Sequence, residues 1–103
     1  MKIVFDENVP WPLRQFLADH EVTSVQREGH RGIENGELLA RLEGHFDIFI
    51  LADKNLRYQQ NLRDRTIAII ELPTNRWPIL KSLREQIIYA VSAAIPGSYS
   101  VID

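Results

Sequence analysis

Residues 46–51 read FDIFIL, and an aspartate follows at position 53. The run is apolar almost throughout, as a central parallel strand buried on both faces should be. Such a strand needs neighbours, and the chain supplies them on either side. Lys2–Phe5 is a short apolar run that reads as a first strand, and His20–Val25 as a second, with Val22 and Val25 as its apolar members. Beyond residues 46–51, Thr66–Leu72 (TIAIIEL) is another strand, and Tyr99–Ile102 closes the chain as a fifth, at a sheet edge.

Helical patterns fall between these strands. Pro10 and Pro12 restrict the backbone, and Leu13, Phe16 and Leu17 follow at helical spacing, which predicts a helix over Pro12–Asp19. Residues 27–36, REGHRGIENG, hold three glycines among mixed charges and mark a loop. Glu37–Glu43 carries Leu38, Leu39 and Leu42 on one face, with Glu34 or Asn35 as its cap. Leu56–Leu62 reads as a short helix or turn. Pro78 opens what should be the longest helix, with Leu80, Leu83, Ile87, Ala90, Val91 and Ala94 along one face and Pro96-Gly97 ending it. Alternating strands and helices predict an α/β fold, a three-layer α/β/α sandwich with a mostly parallel sheet of about five strands. One domain accounts for residues 1–103.

Composition narrows the chemistry. Apolar residues make up 45% and charged residues 25%, an ordinary globular mixture. With no cysteine, disulfides, zinc–thiolate sites and thiol nucleophiles are excluded. MKIVF lacks the apolar core of a signal peptide, and no run reaches the roughly 18 residues of a membrane span. These features point to the cytoplasm and away from a membrane. A net charge of −2 gives no basic footprint for tight, nonspecific nucleic-acid binding. It leaves room for an enzyme that meets a phosphate backbone through a metal and local arginines. No Walker lysine–hydroxyl pair, dinucleotide glycine pattern or Gly-x-Ser-x-Gly elbow is present.

Ligands of parallel sheets gather beyond the carboxyl ends of the strands. Asp6, Glu7 and Asn8 leave the first strand there, and Asp53 leaves the strand of residues 46–51. If those strands are neighbours, about 4.8 Å apart, Asp6 and Asp53 can approach closely. Two such carboxylates repel unless one is protonated or a cation lies between them. Mg²⁺ or Mn²⁺ suits oxygen donors, and either can lower the pKa of a water and neutralise a phosphoryl group. Glu37 is a candidate third ligand, with Glu34 and Asn35 as rivals for the place.

Three stretches carry a family resemblance: IVFDENVPWPL (residues 3–13), GIENGELLARL (32–42) and FDIFILADKNL (46–56), joined by YQQNL (58–62) and LPTNRWP (72–78). The chain resembles the PIN-like nucleases, and more closely the small nucleases often encoded as the toxin half of toxin–antitoxin pairs. The resemblance implies an α/β/α fold, RNA as substrate, acids that hold Mg²⁺ or Mn²⁺, and a small antitoxin protein as partner. It matches Asp6 and Asp53 to two of the acids and aligns Asn35 with a third. Asn55 stands where many relatives carry a second aspartate, and Leu51 where they carry a small hydroxyl residue. Residues 12–19 hold no counterpart of the early-helix glutamate of full-sized PIN domains. Asparagine gives an oxygen without its charge, so Asn35 and Asn55 weaken metal binding. They favour an alternative, a PIN-like module of low activity that works through protein–protein binding or with a second copy of the chain.

Each candidate also has a plain structural use. Asp6 and Asp53 suit turns, Asp53 together with Lys54 and Asn55. Glu37 suits the first turn of a helix through the dipole. Glu7 suits solvent or a basic neighbour. Of the arginines at 14, 27, 31, 57, 63 and 65, Arg57 and Arg14 are the foremost phosphate contacts, with Asn55 beside them. Trp11 and Trp77 can stack on a base or cover a core edge.

Overall fold

The computed structural model describes residues 1–52 and 64–103, and of Asn35 the backbone. Five strands form one all-parallel sheet: β1 (Lys2–Phe5), β2 (Glu21–Ser24), β3 (Ile48–Leu51), β4 (Ala68–Glu71) and β5 (Tyr99–Val101), in the order β2-β1-β3-β4-β5. Burial explains the order. Every residue of β3 and β4 is buried, so both need neighbours and cover on each side. β2 and β5 keep exposed positions and form the edges.

Side chains alternate between two cores. Ile3, Phe5, Ile48, Ile50 and Ile70 point to one face, with Leu13, Leu17, Leu80, Ile87 and Val91 from the helices. Val4, Phe49, Leu51 and Ile69 point to the other, where Leu38, Leu39 and Leu42 cover them. The sheet therefore lies between two helical layers, an α/β/α sandwich. Among the described residues no helix is long and apolar enough to cross a membrane.

A 3-10 helix, Trp11–Leu17, follows β1 where a helix over residues 12–19 was expected. Its tighter winding begins at the prolines, where Leu13 N–H bonds the Pro10 carbonyl three residues back. Helix α1 runs Asn35–Leu42, two residues ahead of its expected start, with Glu34 in the cap position and no side-chain capping bond. The helix or turn expected over residues 56–62 lies outside the described residues.

The expected long helix is broken in two, α2 (Trp77–Ser82) and α3 (Arg84–Ala93). The Ser82 hydroxyl donates to the Ile79 carbonyl at 2.6 Å, the acceptor that Leu83 N–H would use in a continuous α-helix. Leu83 N–H turns to Leu80 O instead, and its φ of −102° and ψ of 16° bend the chain. The apolar face survives the break: Leu80, Ile87 and Val91 are buried and Leu83, Ala90 and Ala94 pack beside them.

Two long-range contacts fix the approach to β4. Gly97 has φ +76°, and a Cβ there would lie 2.7 Å from the Arg65 carbonyl oxygen. Gly97→Ala combines a left-handed backbone with a clash against main chain, so it should cost about 1–3 kcal/mol in urea unfolding. A loss of a few tenths would mean the turn relaxes freely.

The second contact is Glu43, just past α1. Its carboxylate accepts the Thr66 N–H at 3.0 Å, the Ile67 N–H at 3.2 Å and the Thr66 hydroxyl. Burial alone would raise its pKa. The Thr66 hydroxyl, the two amides and the Arg65 charge outweigh burial and hold the carboxyl below its usual 4.5. The unfolded chain therefore takes up this proton first as pH falls. The stabilisation is complete above about pH 4.5 and disappears as pH drops through the folded value. Glu43→Gln should make stability less dependent on pH between roughly 6 and 3, read by urea melts; an unchanged slope would show that the charge contributes nothing.

Candidate functional site

Strand order creates a switch point. β1 has β2 on one side and β3 on the other, so the chain leaves β1 toward one edge and later crosses back. In open α/β sheets the crevice beyond the carboxyl ends of such a pair is where ligands bind.

Asp6 stands in that crevice from β1. The ladder carries on one step past Phe5, because Asp6 N–H donates to Ile50 O at 2.9 Å. Phe5 pairs with Ile50, which puts Asp6 in step with Leu51. Alternation places Asp6 on the face of Val4, the face that α1 covers. Asp6 Oδ1 accepts the Glu7 N–H at 2.9 Å and Asp6 O accepts the Val9 N–H at 3.1 Å, which turns the chain sharply off the sheet.

From β3 the chain passes through Ala52 straight into Asp53. Asp53, Asn55 and Arg57 lie outside the described residues, as does the Asn35 side chain. The neighbouring strands that the pairing of Asp6 with Asp53 required are present.

Glu37 belongs to the same edge, since α1 must begin there for the chain to return to the start of β3. Its carboxylate is exposed and pairs with Arg41 one turn on, at 2.9 Å. Arg14 lies on the 3-10 helix with its guanidinium 5.0 Å from the centre of the Trp11 ring. Glu7 Oε1 accepts the Gly32 N–H at 2.7 Å and ties the loop after β2 to the turn after β1. Trp11 meets Phe5 edge-on at 6.0 Å and Trp77 stacks on Phe16 at 5.4 Å, so both cover core edges.

One acid escaped the sequence reading. Glu71 ends β4 and is only 2% exposed. It pairs in register with Leu51, on the face that Asp6 shares, and accepts the Tyr99 hydroxyl at 2.7 Å. Its signal was available: a carboxylate inside the apolar run TIAIIEL is costly to bury without a partner or a purpose.

Asp6 and Glu71 thus flank Leu51 on one face, with Asp53 next but one after Leu51 in the chain. These are oxygen donors, the chemistry a hard divalent cation takes, and Mg²⁺ binds through as few as one or two carboxylates. Among the described residues no group of three or more His, Cys, Asp or Glu is gathered to hold a metal. A groove of about 750 Å³ lies away from this crevice, along the β2 edge, lined by Lys2, Glu28, His30 and Arg41 among others.

Comparison with protein-family models, with curated proteins and with solved structures returned no match.

Proposed function

We propose that the chain is a metal-dependent ribonuclease of the PIN-like class. The observation that carries this reading is the pairing of β1 with β3, which brings Asp6 to the strand that leads directly into Asp53. The sequence resemblance in residues 3–13, 32–42 and 46–56 supports it and supplies the substrate class.

Asp6 and Asp53 would hold Mg²⁺ or Mn²⁺, with Asn35 as a neutral oxygen donor. A bound cation of this kind neutralises charge on a phosphodiester and lowers the pKa of a water. The chain's own residues do the rest. The turn after Asp6, closed by the Glu7 and Val9 amides, fixes the carboxylate on rigid backbone. Glu37, already paired with Arg41, is an outlying ligand at most. By the same resemblance, restraint of the activity falls to a small antitoxin protein.

The test is cleavage of single-stranded RNA in Mn²⁺ by the native chain, Asp6→Asn and Asp53→Asn. Cleavage lost in both variants upholds the reading. Equal residual cleavage in all three means a contaminant, and the chain is then better read as a binding module.

A further inference from the structure

The described residues form one ion pair, Arg41 with Glu37. That leaves a group of arginines on the carboxyl edge without carboxylate partners among the described residues. Arg27, in the loop after β2, holds its guanidinium 4.1 Å from the centre of the Trp11 ring. Arg14, on the 3-10 helix, lies 5.0 Å from the same centre and also donates to the Trp11 carbonyl at 3.3 Å. Arg31 shares a recess with Glu7 and Gln26 beside the turn after β1. Trp11 is itself set by its contact with Phe5, the residue before Asp6.

Two cations thus share one ring, less than about 10 Å apart. Stacking fixes each planar fork while leaving N–H groups at its rim to donate, an arrangement suited to phosphate oxygens. Glu28 accepts the Thr23 hydroxyl at 3.1 Å, and Glu7, which lines the recess of Arg31, gives its Oε1 to the Gly32 amide.

We propose that Arg14, Arg27 and Arg31 clamp the phosphates of an RNA strand on the β2 side of the crevice, with Trp11 as the plate that fixes two of the guanidiniums. This rests on the ribonuclease reading and adds to it. Trp11 packs on the face of Phe5 and Asp6 lies on the face of Val4, so the RNA strand crosses the carboxyl rim of the sheet to reach both, with flanking nucleotides toward the loop after β2. Trp11 then serves the backbone contact through its arginines and does not stack on a base. A local clamp also explains how a chain of net charge −2 engages a polyanion.

The test is fluorescence anisotropy of a labelled oligouridylate of about 12 nucleotides, in EDTA to block metal-dependent cleavage, over potassium chloride from about 50 to 200 mM. All three arginines are exposed, so their alanine variants should fold. Each should weaken binding about three- to tenfold at low salt and lower the magnitude of the salt slope by about 1. Arg27→Lys should recover the slope, and Arg41→Ala should bind like the native chain. Native-like binding by the triple alanine variant, or no measurable binding by the native chain, overturns the clamp. The nuclease reading stands or falls separately, on the Mn²⁺ assay with Asp6→Asn.

Discussion

Asp6→Asn is expected to lower Mn²⁺-dependent RNA cleavage by at least about a hundredfold while leaving the fold intact. Disturbing an outer partner of a metal ligand already costs about 10- to 100-fold in affinity or activity, and here a charge is removed from the ligand itself. The fold should tolerate the change because the position keeps its shape and its acceptor. Asparagine can still receive the Glu7 N–H that Asp6 Oδ1 now accepts, and the main-chain bonds to Ile50 and Val9 do not involve the side chain. Matching circular dichroism and melting midpoints for the native and variant proteins, with activity lost only in the variant, is the expected pair of results. Cleavage within about threefold of native would remove Asp6 from the site and the proposed chemistry with it.

Phe49→Ala should cost about 3–5 kcal/mol, the usual range for truncating a buried aromatic. Phe49 is 0% exposed in the middle of β3, the strand that joins both halves of the sheet. It fills the core between the sheet and α1, against a layer built largely from Leu38, Leu39 and Leu42. Only one helix of the described residues covers that face, so little can move in to close the void. Domains of this size have total stabilities of about 5–15 kcal/mol, and a loss of this order removes about a fifth or more. The melting midpoint should fall by at least about 12 °C. Urea unfolding that shows less than about 1 kcal/mol would mean α1 collapses onto the sheet and the two cores are less separate than their burial implies.

The two results report on different levels of the molecule. Phe49 tests whether the sheet is a rigid base, and Asp6 tests what stands on its rim. A site held by main-chain bonds to β3 depends on that base, so Phe49→Ala should also reduce cleavage near its melting midpoint.

Much of this architecture was legible in local pattern. Short, mostly apolar runs marked β1, β3 and β4, and the spacing of Leu38, Leu39 and Leu42 marked α1, because burial on one face repeats at the period of the element itself. Element ends were less legible. β3 begins at Ile48, two residues after the apolar run starts, and Asp47 just before it accepts the Lys2 N–H on its side chain at 2.8 Å, a contact across 45 positions. The break at Leu83 turned on a single hydroxyl, Ser82, competing for a carbonyl.

The sequence by itself determined the strands and the helical faces, together with the acids that end two of the strands. Those features depend on neighbours within a few positions, where the chain's own geometry dictates which side chains share a side. The tertiary structure alone decided that β1 lies beside β3, that Glu71 shares the face of Asp6, that Glu43 holds the approach to β4 and that Arg14 and Arg27 meet on Trp11. Strand order is set by burying both cores at once, a sum over the whole chain. No local window contains that sum, and so none reveals which distant charges it will bring together.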